Sequence, residues 1–149
     1  MANFHTQLEK SKNINEIKIS NDLFDYIRSI SEELTELNVK QLNEDSKDIF
    51  GKSIGFYSEA TELITGGKKR KGDPFTAKDT GDFLKGIYAN VFKDNVLFGS
   101  SDPKTDDILD SPDWLSNDLF GLTDENLKEV IENKILPFVL MNYRKELGL

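Results

Sequence analysis

Asp79-Thr80-Gly81-Asp82-Phe83 opens the run Phe83-Leu84-Lys85-Gly86-Ile87-Tyr88-Ala89-Asn90-Val91-Phe92, which returns through Lys93-Asp94-Asn95 into Val96-Leu97-Phe98-Gly99-Ser100. Asp and Gly tolerate positive φ, and Thr or Asp side chains bond nearby backbone N–H groups, so Asp79 to Asp82 reads as a turn. Phe83, Ile87, Ala89 and Val91 share one face of an extended chain, and Leu84, Tyr88 and Phe92 share the other. Two β-rich runs joined by a short polar reversal predict a hairpin. A hairpin alone is marginal in water, so helices or a further strand must cover it. The expected fold is α+β: a small antiparallel sheet built on this central hairpin, packed by an N-terminal helix and a kinked C-terminal helix.

The 149 residues suit one domain, with a core large enough to bury roughly two-thirds of the unfolded surface. Without cysteine there is no disulfide framework, thiolate metal site or cysteine nucleophile. No leader pattern is evident at the start and no apolar stretch approaches membrane-spanning length, which predicts a soluble, cytoplasmically assembled protein with no membrane contact. Between Asp94 and Glu125 nine acids face Lys104 alone, and this region carries the whole net charge of −8. Such a surface repels duplex DNA unless a separate basic patch faces it.

Residues 1–20 read as an N-terminal arm preceding a single domain over 21–149, with Glu16 to Ser20 a candidate edge strand because Ile17 and Ile19 alternate. Ser20-Asn21-Asp22 offers N-caps for a helix from Asp22 to about Leu37, open to continuation through Val39–Leu42. Its buried stripe is Leu23, Ile27, Ile30, Leu34 and Leu37. Ser58 is a candidate cap for a short helix through Ile64, and Gly66 to Pro74 is a flexible basic loop. Ser101 to Leu122 is a long acidic connection, broken by Pro103 and Pro112 but apolar enough at Trp114, Leu115, Leu119, Phe120 and Leu122 to pack in order. Thr123 caps the last helix, with Asp124 and Glu125 favourably placed at its start. Leu127, Val130, Ile131, Ile135, Phe138, Val139 and Met141 or Asn142 mark its buried stripe. Pro137 kinks it, and it is the expected cover for the hairpin.

Catalysis has little to draw on. His5 is the one histidine and lies in the arm, which argues against Ser–His or histidine-base chemistry. Gly66-Gly67-Lys68-Lys69 lacks the spacing of a phosphate-binding loop. Asp102, Asp106, Asp107, Asp110 and Asp113 are hard oxygen ligands in one loop, but the calcium-loop register is missing, so they read as a solvated acidic loop with no metal or cofactor. Lys68-Lys69-Arg70-Lys71 reads as a solvated loop, with phosphate contact as the alternative. One acidic and one basic segment on an otherwise neutral chain suggest a third use: the basic loop of one copy meets the acidic region of the next, with Trp114 beside it, closing a ring.

Asp48-Ile49-Phe50-Gly51-Lys52-Ser53-Ile54-Gly55-Phe56-Tyr57-Ser58-Glu59-Ala60-Thr61 resembles a segment of phage virion-morphogenesis proteins, a group spanning tail-completion, neck and tail-terminator proteins. The order that follows is also similar: a Lys/Gly-rich loop (Gly66 to Gly72), the Asp79–Phe83 turn, and a hairpin ending in Leu97-Phe98-Gly99-Ser100. Leu119 to Asn126 and the C-terminal helix resemble versions from phages of Bacteroidetes-type hosts. The likeness covers about residues 40 to 149. It implies a non-enzymatic virion subunit at the head–tail junction, in a ring of six or twelve copies, touching portal or connector and tail proteins. An acidic channel lining would let DNA slide past without sticking. The competing readings are a small nucleic-acid-binding module using Lys68 to Lys71, and a metal-dependent enzyme on the Asp102–Asp113 cluster.

Overall fold

The hairpin forms as β1 (Ile87–Val91) and β2 (Val96–Ser100), paired antiparallel with Ile87 opposite Ser100 and Val91 opposite Val96. The structure is a computed structural model that describes residues 3–55, 59–74, 82–103, 105 and 117–149. The Phe92 N–H donates to the Asn95 carbonyl at 2.8 Å and closes the reversal around Lys93 and Asp94. Ile87 and Ala89 are buried on one face while Asn90 is exposed, the alternation expected of a half-covered strand. Tyr88 sits opposite Gly99, where a Cβ would lie 2.6 Å from the Tyr88 hydroxyl oxygen; glycine leaves room for the ring to cross the strand.

The strand begins later than the alternation suggests. Asp82–Lys85 is a single helical turn, α5, and both Phe83 and Leu84 are buried in one cluster with Ile87. An extended chain would send Phe83 and Leu84 to opposite faces, whereas a helical turn delivers both to the core. The opening turn at Asp79 to Gly81 lies outside the described residues.

The reading of the N-terminus needs correcting. Phe4–Lys12 is helix α1, its Asn3 cap accepting from the Thr6 N–H at 2.8 Å. Glu16–Ser29 is α2, capped by Asn15, whose side-chain oxygen accepts from Ile17 and Lys18. The expected edge strand is therefore helical, and the boundary drawn at residue 20 falls inside α2. Ile19 is buried and Ile17 is 70% exposed, because the helical stripe starts at Ile19 and continues through Leu23 and Ile27 in steps of four.

The helix expected through Leu37 breaks at Ile30, after which α3 spans Ser31–Asn43. Ser29 Oγ donates to the Tyr26 carbonyl, a local bond that competes with the helical ladder at the break. Ile27, Ile30 and Leu34 are buried there, with Leu23 and Leu37 beside them, as the spacing predicts.

Among the described residues, two apolar clusters fill the core. Leu42, Ile54, Phe83, Leu84, Ile87 and Leu119 form one. In the other, Ile27, Ile30, Leu34, Ala89 and Val130 pack with Val91, Val96 and Phe98 of the hairpin. The hairpin is thus covered mainly by α2 and α3. The C-terminal helix adds Val130 and Ile135, a smaller share than its apolar sequence suggests.

That helix starts as expected: Thr123 Oγ1 accepts from the Asn126 N–H at 3.2 Å at the head of α6 (Asp124–Val130). Ile131–Ile135 then forms a π-helical segment before α7 (Leu136–Glu146), and the Leu136 N–H reaches back five residues to the Ile131 carbonyl. Pro137 cannot donate to the ladder and would clash with the carbonyl four residues earlier; the wider turn takes up that mismatch at the start of α7. The wider turn also rephases the helix. Ile135, Phe138, Val139 and Asn142 face inward, so of Met141 and Asn142 it is Asn142 that joins the stripe, while Leu127 and Ile131, expected inside, are exposed.

Candidate interaction surfaces

Residues 119–123 are held by two buried polar side chains on α3. Asn38 Nδ2 donates to the Leu119 carbonyl at 2.9 Å, and its Oδ1 accepts from the Gly121 N–H at 3.3 Å. Gln41, 1% exposed, donates to the carbonyls of Lys47 and Gly121 and accepts from the Thr123 N–H at 2.9 Å and from Asn126 Nδ2 at 3.2 Å. The end of the acidic connection is therefore ordered against this domain, with Leu119 buried and Phe120 packed on Phe83 at a ring separation of 5.9 Å.

Asp48 organises a tight turn next to this clamp. Its Oδ1 accepts from the N–H groups of Phe50 and Lys52, each at 2.9 Å, and the Gly51 N–H donates to the Asp48 carbonyl at 3.0 Å. Gly51 has φ +74°, a conformation that glycine adopts without steric cost. The Ile49 N–H donates to the Asp118 carbonyl at 2.9 Å, tying the turn to the core. Phe50 projects from it, 67% exposed. Phe50 shares a hollow of about 210 Å³ with Gln41, Asp45, Lys47 and the first residues of α6, including Asp124 and Glu125.

A second surface lies at the far end of the C-terminal helix. One side of α7 packs on α2 through the stacked rings of Tyr26 and Phe138, 4.3 Å apart, and through the Lys18–Glu146 ion pair at 2.8 Å. The hydrogen bond from Lys18, and then its charge, hold the Glu146 carboxyl below its ordinary range; the same pair holds the Lys18 ammonium above its ordinary range. Glu33 raises Lys134 in the same way, linking α3 to the π segment. The other side of α7 is also apolar: Leu136, Leu140, Met141 and Tyr143 are all exposed. Pro137, Leu140, Met141, Arg144, Lys145 and Leu149 line an open groove of about 550 Å³.

The residues singled out from sequence are placed unevenly. Lys68, Arg70 and Lys71 are exposed and Lys69 is half-buried, on a turn that follows α4 (Glu59–Ile64). Thr65 Oγ1 accepts from the Lys69 N–H at 3.1 Å and Glu62 accepts from the Lys71 N–H at 3.0 Å, so this basic segment is braced by its own helix. Asp102 is half-buried at the end of β2, its N–H donating to Ser100 Oγ at 3.3 Å. Asp106, Asp107, Asp110, Asp113 and Trp114 lie outside the described residues, as does the Ser58 cap. Whether the acidic segment from Asp106 to Asp113 meets the basic turn falls outside the described residues. Among the described residues there is no cluster of three or more potential metal ligands, and no helix is long and apolar enough to cross a membrane.

No protein-family model, curated protein or solved structure matches this chain.

Sequence reasoning placed turns between Asn43 and Lys52 but missed the exposed Phe50 there and the outer face of α7. Asp48-Ile49-Phe50-Gly51, an aromatic between an Asx-turn residue and a glycine, was the available signal for the first. The unbroken apolar run Ile135 to Met141 was the signal for the second, since a helix that is apolar all round is normally covered.

Proposed function

We propose that this chain is a non-enzymatic structural subunit that works in repeated copies, and that its setting is the head–tail junction of a tailed phage, in contact with portal or connector and tail proteins. The observation that carries the reading is α7, which packs one side on α2 and presents a second apolar side outward. Exposed contiguous apolar surface on a helix is the mark of an interaction site. The phage setting rests on the order of motifs from Asp48 to the C-terminal helix, and the ring is the form that repeated head-to-tail contacts take when the rotation closes.

Negative-stain imaging and sedimentation of the purified chain, alone and with the virion proteins encoded beside its gene, test the reading. Closed rings of uniform size, formed alone or on a portal or tail template, are the expected result. A chain that remains monomeric under every one of these conditions refutes it. Salt-sensitive retention of DNA by the isolated protein, lost when Lys68 to Lys71 are changed to glutamate, would favour the nucleic-acid module instead.

A further inference from the structure

The two surfaces described above stand at opposite ends of one helical rod. Asp124 and Glu125 begin α6 beside Phe50, and Arg144 and Lys145 lie near the end of α7 in the apolar groove. At 1.5 Å per residue the two ends are about 30 Å apart, too far to meet within one molecule. We infer that the Asp48–Gly51 turn of one copy docks in the α7 groove of a second copy, with Phe50 inserted among Pro137, Leu140, Met141 and Leu149.

Three observations support the fit. The knob is rigid: its backbone N–H groups donate to Asp48 Oδ1 and to the carbonyls of Asp48 and Asp118, so little conformational entropy is lost when Phe50 is covered. The hole is apolar and open, about 550 Å³, ample for one phenyl ring. The rims are opposite in charge. Asp45, Asp124 and Glu125 are exposed around the knob, Arg144 and Lys145 are exposed around the groove, and none of the five forms an ion pair among the described residues. An aromatic anchor seated in an apolar pocket inside a charged rim has the anatomy of an interface hot spot. The contact uses a different surface on each copy, so it repeats. Its growth into a closed ring rests on the assembly reading above, while the contact itself does not.

The chain has no cysteine, so paired cysteines report on this contact without background. The K52C/M141C double variant, which keeps Phe50 and puts one cysteine on the exposed turn beside it, should, when oxidised under mild conditions, give a ladder of cross-linked species, whereas each single variant should stop at or below a dimer. No cross-linking of the double variant above the singles overturns the contact. Cross-linking that ends at a closed dimer keeps the contact and overturns the ring. Phe50→Ala should weaken self-association by about tenfold or more in sedimentation. The D124K/E125K and R144E/K145E variants should each fail to associate alone and assemble when mixed, because every mixed contact restores opposite charges. Failure of the mixture to assemble counts against the proposed pairing of rims.

Discussion

Replacing Gln41 by leucine keeps the side chain's size and removes its polar ends, which isolates what the clamp contributes. Four hydrogen bonds disappear, two of good length, at 2.9 and 3.2 Å, and two long ones, at 3.3 and 3.4 Å. The Thr123 N–H suffers most, since Thr123 is buried and its amide loses the bond to Gln41 Oε1. An unpaired buried donor costs about 1–3 kcal/mol, and the remaining bonds add about 1 kcal/mol between them, with long bonds weighing less. The expected loss is roughly 2–4 kcal/mol. In a chain of this size that corresponds to a fall in Tm of about 6–12 °C. Urea denaturation followed by circular dichroism reads it as a lower midpoint at unchanged slope. Asn38→Leu should couple to it, because Asn38 accepts from the Gly121 N–H while Gln41 donates to the Gly121 carbonyl. The double variant should lose less than the sum of the singles. A Gln41→Leu change smaller than about 0.5 kcal/mol would show that the segment from Leu119 to Thr123 is held by its apolar contacts alone.

The Asn142 amide nitrogen is buried without a hydrogen-bond partner among the described residues, so Asn142→Leu should raise stability by about 1 kcal/mol or more, read as a higher urea midpoint. Gly99→Ala should destabilise by about 1–3 kcal/mol because its Cβ meets the Tyr88 ring; Gly51→Ala, where a Cβ meets open space, should cost about 1 kcal/mol through its φ of +74° alone. Glu146 is held below its ordinary value of 4.5, so its contribution is present above that value and fades as pH falls through the lower folded-state value. Lys18 is held above its ordinary 10.5, so its contribution is full below 10.5 and fades as pH rises through the higher folded-state value. Glu146→Gln should therefore flatten part of both limbs of the stability–pH curve. Limbs identical to those of the parent chain would mean that the pair does not contribute.

The fold was legible where one local pattern had one meaning. Alternation at Ile87, Ala89 and Val91 marked the strand, the steps between Ile27, Ile30 and Leu34 marked the helical stripe, and Thr123 followed by two acids marked a helix start. It was illegible where two patterns overlapped. Ile17 and Ile19 alternate like a strand, yet only Ile19 belongs to a buried helical stripe, which becomes apparent when Asn15 is taken as the cap. Asn38 and Gln41 continue the stripe from Leu34 in steps of four and three, but polar residues there read as surface until their backbone partners, some 80 residues away, are known. The candidate surfaces were harder to foresee. An exposed Phe50 and a buried one are the same letter in the sequence, and most of the acidic segment chosen from composition lies outside the described residues.

The five residues from Ile131 to Ile135 set which way the end of the chain looks. Were the same five residues to close as an ordinary turn, one residue fewer would complete it and everything downstream would rotate by about 100°. Phe138 would swing off Tyr26, and a residue now facing water would take its place. The same sequence would then offer a different profile to the outside, so the width of this one turn governs recognition more tightly than the chemical character of any side chain within it.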